Sequence, residues 1–135
     1  MQVVAQSPTI LLDGAHSPAS ASAVCKTIRE VFHYQRLIFV AGLMKDKNLR
    51  GIGQILCPIA DEIIATQASD SRRVRPAEDI VKGWSTLKTY LHACPTVPKA
   101  IQLAQSVAEP SDLICILGSI YLVGEAMKVF GIREA

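Results

Sequence analysis

Two unbroken apolar runs constrain the fold of this chain more than any other feature. They are Leu37–Ala41 and Leu113–Leu117, and each is followed directly by a glycine. A strand that is apolar at every position has both faces buried, which is typical of a parallel sheet covered by helices. Each run therefore predicts a buried strand that ends at a turn.

Strand and helix patterns alternate along the rest of the chain. Further strands are predicted at residues 9–12 and 63–65 and, from an ambiguous pattern, at residues 87–93. Capping residues, prolines and apolar side chains at helical spacing predict five helices. These run from residue 18 to about 33, from 49 to before Pro58, from Pro76 past Trp84, from Thr96 or Val97 onwards, and from Ser119 to a stop at Gly131. The alternation predicts an α/β fold, a mostly parallel open sheet with helices on both faces, as one domain over residues 1–135.

Composition and charge argue against several classes of function. A net charge of +2 and an aromatic content of 5% indicate neither a basic surface nor a stacking platform for nucleic acid. The apolar runs are too short and interrupted to span a membrane. The four cysteines form no C-x-x-C pair, so we expect reduced thiols in a cytoplasmic protein and no zinc.

Four polar loops follow the predicted strands at the edge where the carboxyl ends of the strands meet. Ligands of open parallel sheets bind at that edge, and each loop precedes a helix whose N-terminus favours an anion. The loops carry one imidazole, two carboxylates and several cations: His16, Asp13, Asp46, Lys45, Lys47, Arg72, Arg73 and Arg75. The order of strands along the chain leaves open which of these loops are neighbours in space.

Each of these residues also has a purely structural interpretation. Aspartate before glycine often forms a turn, serine before a helix is a good cap, and a basic cluster is often a solvated loop. The chain has neither the G-x-x-x-x-G-K-[ST] loop that holds a triphosphate nor the G-x-G-x-x-G of dinucleotide sites. Residue types alone therefore predict an α/β domain with an anion-binding edge and no P-loop of its own.

Four short segments at residues 11–18, 42–47, 58–61 and 118–125 read LLDGAHSP, GLMKDK, PIAD and GSIYLVGE. In this order they resemble the L-D-G-A-H-N-P, G-M-L-x-D-K-D, P-x-A-D and G-S-L-Y-L-V-G-E motifs of folylpolyglutamate synthases, a branch of the Mur ligase superfamily. Other branches differ at the first motif, so D-G-A-H points to the folate branch.

The resemblance implies the C-terminal domain of an ATP-dependent amide ligase. Such enzymes add L-glutamate to folates, to dihydropteroate or to both, through an acyl phosphate. It implies that ATP and Mg²⁺ are held mainly by a larger P-loop domain, over which this domain closes, and that the isolated domain is inactive. Two alternatives stay open. One is a Mur-type ligase acting on a cell-wall nucleotide precursor, which the first and last motifs argue against, and the other is a stand-alone nucleotide-binding or regulatory module.

The motifs assign candidate residues. Asp13 matches the family aspartate on the ribose side of ATP, and His16 matches the histidine near the phosphates and the incoming glutamate, which makes it the catalytic candidate. The residues expected to face the cleft are Lys45, Asp46, Lys47, Arg72, Ser119 and Tyr121, and no metal ligand is assigned. Ser17 and Asn48 depart from the usual Asn and Asp. Ser17 can still cap a helix, whereas Asn48 removes a charge.

Overall fold

The computed structural model describes residues 1–69, 72–87 and 90–132. The strands are β1 (Gln2–Ala5), β2 (Thr9–Asp13), β3 (Leu37–Ala41), β4 (Glu62–Ala65), β5 (Leu91–Ala93) and β6 (Leu113–Leu117). The helices are α1 (Pro18–Val31), α2 (Leu49–Leu56), α3 (Ala77–Trp84), α4 (Val97–Val107) and α5 (Ile120–Val129). None of the helices in these ranges combines the length and the hydropathy needed to cross a lipid bilayer.

Within the described residues, the strands form one sheet in the order β1-β2-β6-β3-β4-β5. Neighbouring strands among β2 to β6 run parallel to each other, whereas the edge strand β1 runs antiparallel to β2. The two apolar runs are adjacent central strands, with Leu37 of β3 opposite Leu113 of β6 and Ala41 opposite Leu117. Every residue of both strands is buried, which confirms the mostly parallel α/β sheet.

Alternate side chains of the central strands enter two separate cores, because successive residues of a strand point to opposite faces. Phe39 and Cys115 pack against the helices α1, α2 and α3 on one face. Val40 and Ile116 pack against α4 and α5 on the other. The prediction of helices on both faces is confirmed.

The structure differs from the predicted elements at three places. Strand β1 was not predicted, because its apolar run covers only residues 3–5; it lies at the edge of the sheet, where Val3 is 46% exposed. The predicted strand at 87–93 is confirmed for Leu91–Ala93 only; Leu87 lies in a turn, and residues 88 and 89 lie outside the described residues. Helix α1 ends at Val31 rather than near residue 33, since the backbone of Phe32 is extended.

Two aspartates satisfy backbone groups at the amino edge of the sheet. The carboxylate of Asp112 is 2% exposed and accepts hydrogen bonds from the backbone N–H groups of Arg36, at 3.1 Å, and Glu109, at 2.8 Å. The guanidinium of Arg36 donates two more, at 2.9 and 3.1 Å. Asp61, the last residue of the PIAD motif, accepts from the N–H of Leu37 at 2.7 Å. These aspartates have structural roles, remote from the carboxyl edge.

Opposing effects act on the pKa of Asp112. Burial alone would raise it, but the hydrogen bonds from Glu109 and Arg36 and the charge of Arg36 outweigh burial and hold the pKa below its ordinary value. A carboxyl group whose pKa is lower in the folded state stabilises the fold above the pKa of the unfolded chain. That stabilisation is lost as the pH falls through the lower, folded value.

We expect Asp112→Asn to lower the free energy of unfolding at pH 7 by about 1–3 kcal/mol, because an amide NH₂ would face N–H donors. The difference between variant and wild type should shrink below about pH 4, where Asp112 of the unfolded wild-type chain becomes protonated. Denaturant unfolding at pH 7 and pH 3 measures both values. Asp46→Asn, at a side chain that is 64% exposed, is the matched control. A difference that stays constant with pH would contradict the role of the charge.

Candidate functional site

The carboxyl ends of the parallel strands meet at one edge of the sheet, and the strand order decides which loops are neighbours there. Asp13 at the end of β2 and Ala41 at the end of β3 both pair with Leu117 at the end of β6. Strand β4 follows β3 on the far side. The loops after these strands therefore lie side by side in the order β2, β6, β3 and β4. The end of β6 lies between the loops that follow β2 and β3.

The chain turns sharply at the end of β6, against the backbone that leaves β3. Gly118 has a φ of +126°, in the region that favours glycine, and an added Cβ would lie 2.1 Å from the carbonyl oxygen of Gly42. The N–H of Gly42 donates to the carbonyl of Leu117 at 3.2 Å. No side chain fits between the two backbones, so they approach closely at this point. Helix α5 therefore starts directly beside the chain that leaves β3.

The N-terminus of α5 presents both backbone donors and apolar surface. The Oγ of Ser119, which is 4% exposed, accepts a hydrogen bond from the N–H of Leu122 at 3.0 Å and caps the helix. The N–H groups of the first turn have no acceptor within a helix, so this end attracts an anion. Ile120 and Tyr121 are 66% and 41% exposed beside it. The GSIYLVGE segment thus combines a helix end that attracts anions with an exposed apolar surface.

His16 precedes a helix whose cap is formed by two serines. The Oγ of Ser17 accepts from the N–H of Ser20 at 3.1 Å, and the Oγ of Ser20 accepts from the N–H groups of Ser17 and His16 at 3.0 Å. The Nδ1 atom of His16 lies 2.9 Å from the carbonyl oxygen of Gly14. A carbonyl only accepts, so Nδ1 carries the proton and the neutral ring keeps its lone pair on Nε2. The fold therefore orients an exposed imidazole with an acceptor atom.

The two departures from the family motifs both lie at helix caps. Ser17 caps α1, as predicted. The Oδ1 atom of Asn48 accepts from the N–H of Gly51 at 2.9 Å and caps α2. An amide oxygen can cap a helix as well as a carboxylate can, so the missing charge does not disturb the local fold.

The loop after β3 and the loop after β4 are joined by a short antiparallel pairing. Met44 bridges Val74, and the N–H of Lys45 donates to the carbonyl of Arg73 at 2.6 Å. This pairing joins segments that are nearly thirty residues apart in the sequence. It places Arg73 beside the loop that carries Asp46.

A cleft of about 160 Å³ opens between these elements. Its wall is formed by His16, Met44, Asp46, Lys47, Arg73, Ser119, Ile120 and Tyr121. The Nζ atom of Lys47 lies 3.9 Å from a carboxylate oxygen of Asp46, and both side chains reach solvent, so the pair is weak. Two cations, one oriented imidazole and the N-terminus of α5 converge on this volume, and together they suit an anion.

The structure brings five of the predicted site residues together. His16, Asp46, Lys47, Ser119 and Tyr121 line the cleft. Lys45 and Arg72 are exposed on the loops beside it but are not among the residues of its wall. The chemical roles of all these residues stay predictions.

Asp13 lies next to the cleft wall rather than in it. Its carboxylate accepts a hydrogen bond from the N–H of Ala15 at 2.9 Å and lies 3.3 Å from the amino group of Met1. The carboxylate therefore shapes the turn before His16. Its proposed contact with the ribose of a nucleotide stays a prediction.

Three residues of the wall were not singled out from the sequence. Arg73 was one of several cations at the edge, and only its pairing with the neighbouring loop distinguishes it from Arg72. Met44 and Ile120 were given no role of their own within their motifs. A large apolar residue at the first position of a capped helix was the only available signal for Ile120.

The described residues hold no cluster of three potential metal ligands, and most of the cysteines are buried. Within residues 1–69, 72–87 and 90–132, no three His, Cys, Asp or Glu side chains come close enough to hold a metal ion. No disulfide joins the four cysteines, and Cys25, Cys57 and Cys115 are buried. Burial raises the pKa of Cys25 to about 11, although Arg29 opposes it. The cleft can bind a ligand through cations and N–H donors.

A sequence profile described as "Mur ligase, glutamate ligase domain" matches residues 1–120. The chain belongs to this family. The glutamate ligase domain is 32% identical over 129 residues to a probable bifunctional folylpolyglutamate synthase/dihydropteroate synthase of Halobacterium salinarum, covering 93% of this chain and 15% of the relative. It is 28% identical over 138 residues to a dihydrofolate synthase/folylpolyglutamate synthase of Mycobacterium tuberculosis, covering 92% of this chain and 28% of the relative.

A solved structure shares the fold of the glutamate ligase domain. The Mycobacterium tuberculosis folylpolyglutamate synthase complexed with ADP and AMPPCP superposes with a TM-score of 0.91 at 26% identity, over 99% of this chain and 32% of that one. The present chain thus spans less than a third of the length of each of these three proteins.

We expect Gly118→Ala to destabilise the glutamate ligase domain. The strained φ alone costs about 1–3 kcal/mol, and the clash of the new methyl group with Gly42 adds to it. Gly131→Ala is the matched control. Gly131 also has a positive φ, of +70°, but an added Cβ meets nothing within 4 Å, so only the backbone strain of roughly 1–2 kcal/mol remains. Denaturant unfolding compares them. Equal losses would contradict a steric role for the approach to Gly42.

Proposed function

We propose that this chain is the domain of an ATP-dependent amide ligase that closes over the nucleotide while L-glutamate is joined to a folate or to dihydropteroate. The observation that supports it most is the convergence of His16, Lys47, Arg73 and the N-terminus of α5 on one cleft in a glutamate ligase domain. The activities in the names of the relatives fit the same reaction.

The residue types suit the chemistry of this reaction. Transfer of the γ-phosphoryl group to a carboxylate needs positive charge and N–H donors around the phosphate oxygens, and positioning dominates its catalysis. Lys47, Arg73 and the first N–H groups of α5 would supply them. Closure of the domain would exclude water, which protects an acyl phosphate from hydrolysis until the glutamate amine attacks.

His16 is the proposed catalytic residue. With Nδ1 donating to Gly14, the lone pair of Nε2 can accept a proton or a hydrogen bond from the incoming amine. An amine must lose a proton when it forms an amide, so an acceptor beside the phosphates has a chemical task. Asp13, three residues before His16 at the end of β2, would bind the ribose hydroxyls of the nucleotide.

The remaining machinery would lie in other parts of the ligase. The sequence has no P-loop, and the described residues hold no group of metal ligands, so the triphosphate and its Mg²⁺ would be held mainly by a larger domain. Such a domain is expected because the chain spans less than a third of its relatives. We therefore propose that residues 1–135 form a single domain that is inactive alone.

The test is an activity assay of the full-length ligase that contains this chain. Dihydropteroate and tetrahydrofolate are offered separately with L-glutamate and MgATP, and the amide product and the ADP are measured. We expect glutamate-dependent ADP release with at least one of the two. Turnover with a cell-wall nucleotide precursor, and with neither pterin, would overturn the proposal.

We expect His16→Ala and Arg73→Ala to reduce the turnover of that ligase at least tenfold, which corresponds to a loss of ~1.4 kcal/mol of transition-state stabilisation. Both side chains are exposed, so their removal should change the free energy of unfolding by less than about 0.5 kcal/mol. Steady-state rates per folded molecule and melting temperatures separate the two effects.

The chain offers a matched control for each variant. His33→Ala removes an exposed imidazole beyond the far end of α1, and Arg72→Ala removes an exposed cation next to Arg73 but outside the cleft wall. Both should keep wild-type turnover. Equal losses of turnover in Arg72→Ala and Arg73→Ala would show that a position in the cleft wall does not make Arg73 more important than Arg72.

A further inference from the structure

Glu125, the last residue of the GSIYLVGE motif, forms its hydrogen bonds outside the cleft. It lies on α5, six residues after Ser119, and its side chain is not part of the cleft wall. Both carboxylate oxygens accept from the N–H of Ser69, at 3.1 and 3.0 Å, and one of them also accepts from the hydroxyl of Ser69. Ser69 is in the loop after β4, 56 residues earlier in the chain. The contact is thus a long-range tie between a helix and a loop.

The loop tied by Glu125 is the one that carries Arg73. Between Ser69 and the start of α3, this loop pairs with the loop after β3 through Met44 and Val74. These two residues are buried together with Ala68, so the pairing has its own small apolar core. A displacement of Ser69 is therefore expected to be transmitted to the segment that holds Arg73.

Arg75 extends the tie to the opposite loop. Its guanidinium donates to the carbonyl oxygens of Lys45, at 2.7 Å, and Lys47, at 3.3 Å. The loop that carries Asp46 and Lys47 is thereby held by the same segment that Glu125 holds. The two cations of the cleft, Lys47 and Arg73, lie on loops that are joined to each other.

We propose that Glu125 is a positioning residue, which sets the place of Arg73 relative to the N-terminus of α5 and so pre-organises the anion-binding cleft. Helix α5 supplies one wall of the cleft at its first turn and holds the opposite loop about 9 Å further along, at a rise of ~1.5 Å per residue. A single rigid helix thus fixes both sides. This inference rests on the proposed ligase function.

A carboxylate suits this task better than an amide. Charged acceptors make shorter and stronger hydrogen bonds, and Glu125 receives donors on both oxygens. In Glu125→Gln one oxygen remains as an acceptor, while the NH₂ faces a donor. Glu125→Ala removes all three hydrogen bonds with Ser69. The glutamine variant should therefore lie between alanine and wild type in every measurement.

The first experiment measures the contact without any activity. Amide hydrogen exchange of Ser69 is followed in the wild type, Glu125→Ala and Glu30→Ala, the last being an exposed glutamate of α1 near the amino edge. We expect slow exchange of Ser69 in the wild type and in the control, and fast exchange in Glu125→Ala. An unprotected Ser69 amide in the wild type would overturn the tie, whatever the protein catalyses.

The second experiment is a double-mutant cycle in the full-length ligase, with kcat and KM for MgATP measured for each variant. We expect Glu125→Ala to lower kcat/KM by up to about 100-fold, since a misplacement of ~1 Å can cost that much. In the Arg73→Ala background the same substitution should have little further effect, because the group that Glu125 positions is already gone. Glu125→Gln should recover part of the loss.

The outcomes separate this inference from the function it rests on. Equal losses in both backgrounds, or a Glu125→Ala variant as active as Glu30→Ala, would show that Glu125 does not act through Arg73. A wild-type ligase that turns over none of the folate substrates would remove the proposed function, and the catalytic part of this inference with it.

Discussion

The close approach of Gly118 to Gly42 sets the arrangement at the centre of the molecule. Two parallel strands, each buried on both faces, end side by side there, and the backbone that leaves one touches the backbone that leaves the other. The positive φ of Gly118 turns the chain at once into α5. The first turn of that helix therefore lies beside the loop that leaves β3, where an anion can reach both.

The site is built from loops that are joined to one another rather than from independent segments. The pairing of Met44 with Val74, the side-chain bonds of Arg75 and the tie from Glu125 connect α5 with the loops after β3 and β4. Loops that are fixed in this way lose little conformational entropy when a ligand binds. A cleft on loops can then have the geometric precision of one on rigid elements.

The two edges of the sheet have different tasks. At the amino edge, Asp112 and Asp61 satisfy the N–H groups of Arg36 and Leu37, where β3 begins, and Asp112 also forms an ion pair with Arg36. At the carboxyl edge, the charged side chains of the cleft are mostly exposed, and the ion pair between Lys47 and Asp46 is weak.

The sequence by itself determined the succession of strands and helices along the chain apart from β1, the buried runs β3 and β6, the caps of α1 and α5, and the set of polar loops at one edge. These features depend on apolar spacing and capping between residues close in the sequence, which local patterns report. Only the tertiary structure decided that β6 lies between β2 and β3, that Arg73 rather than Arg72 lines the cleft, and that Glu125 binds Ser69. Those outcomes depend on contacts between segments tens of residues apart, whose pairing is settled by packing and hydrogen-bond geometry rather than by any local pattern.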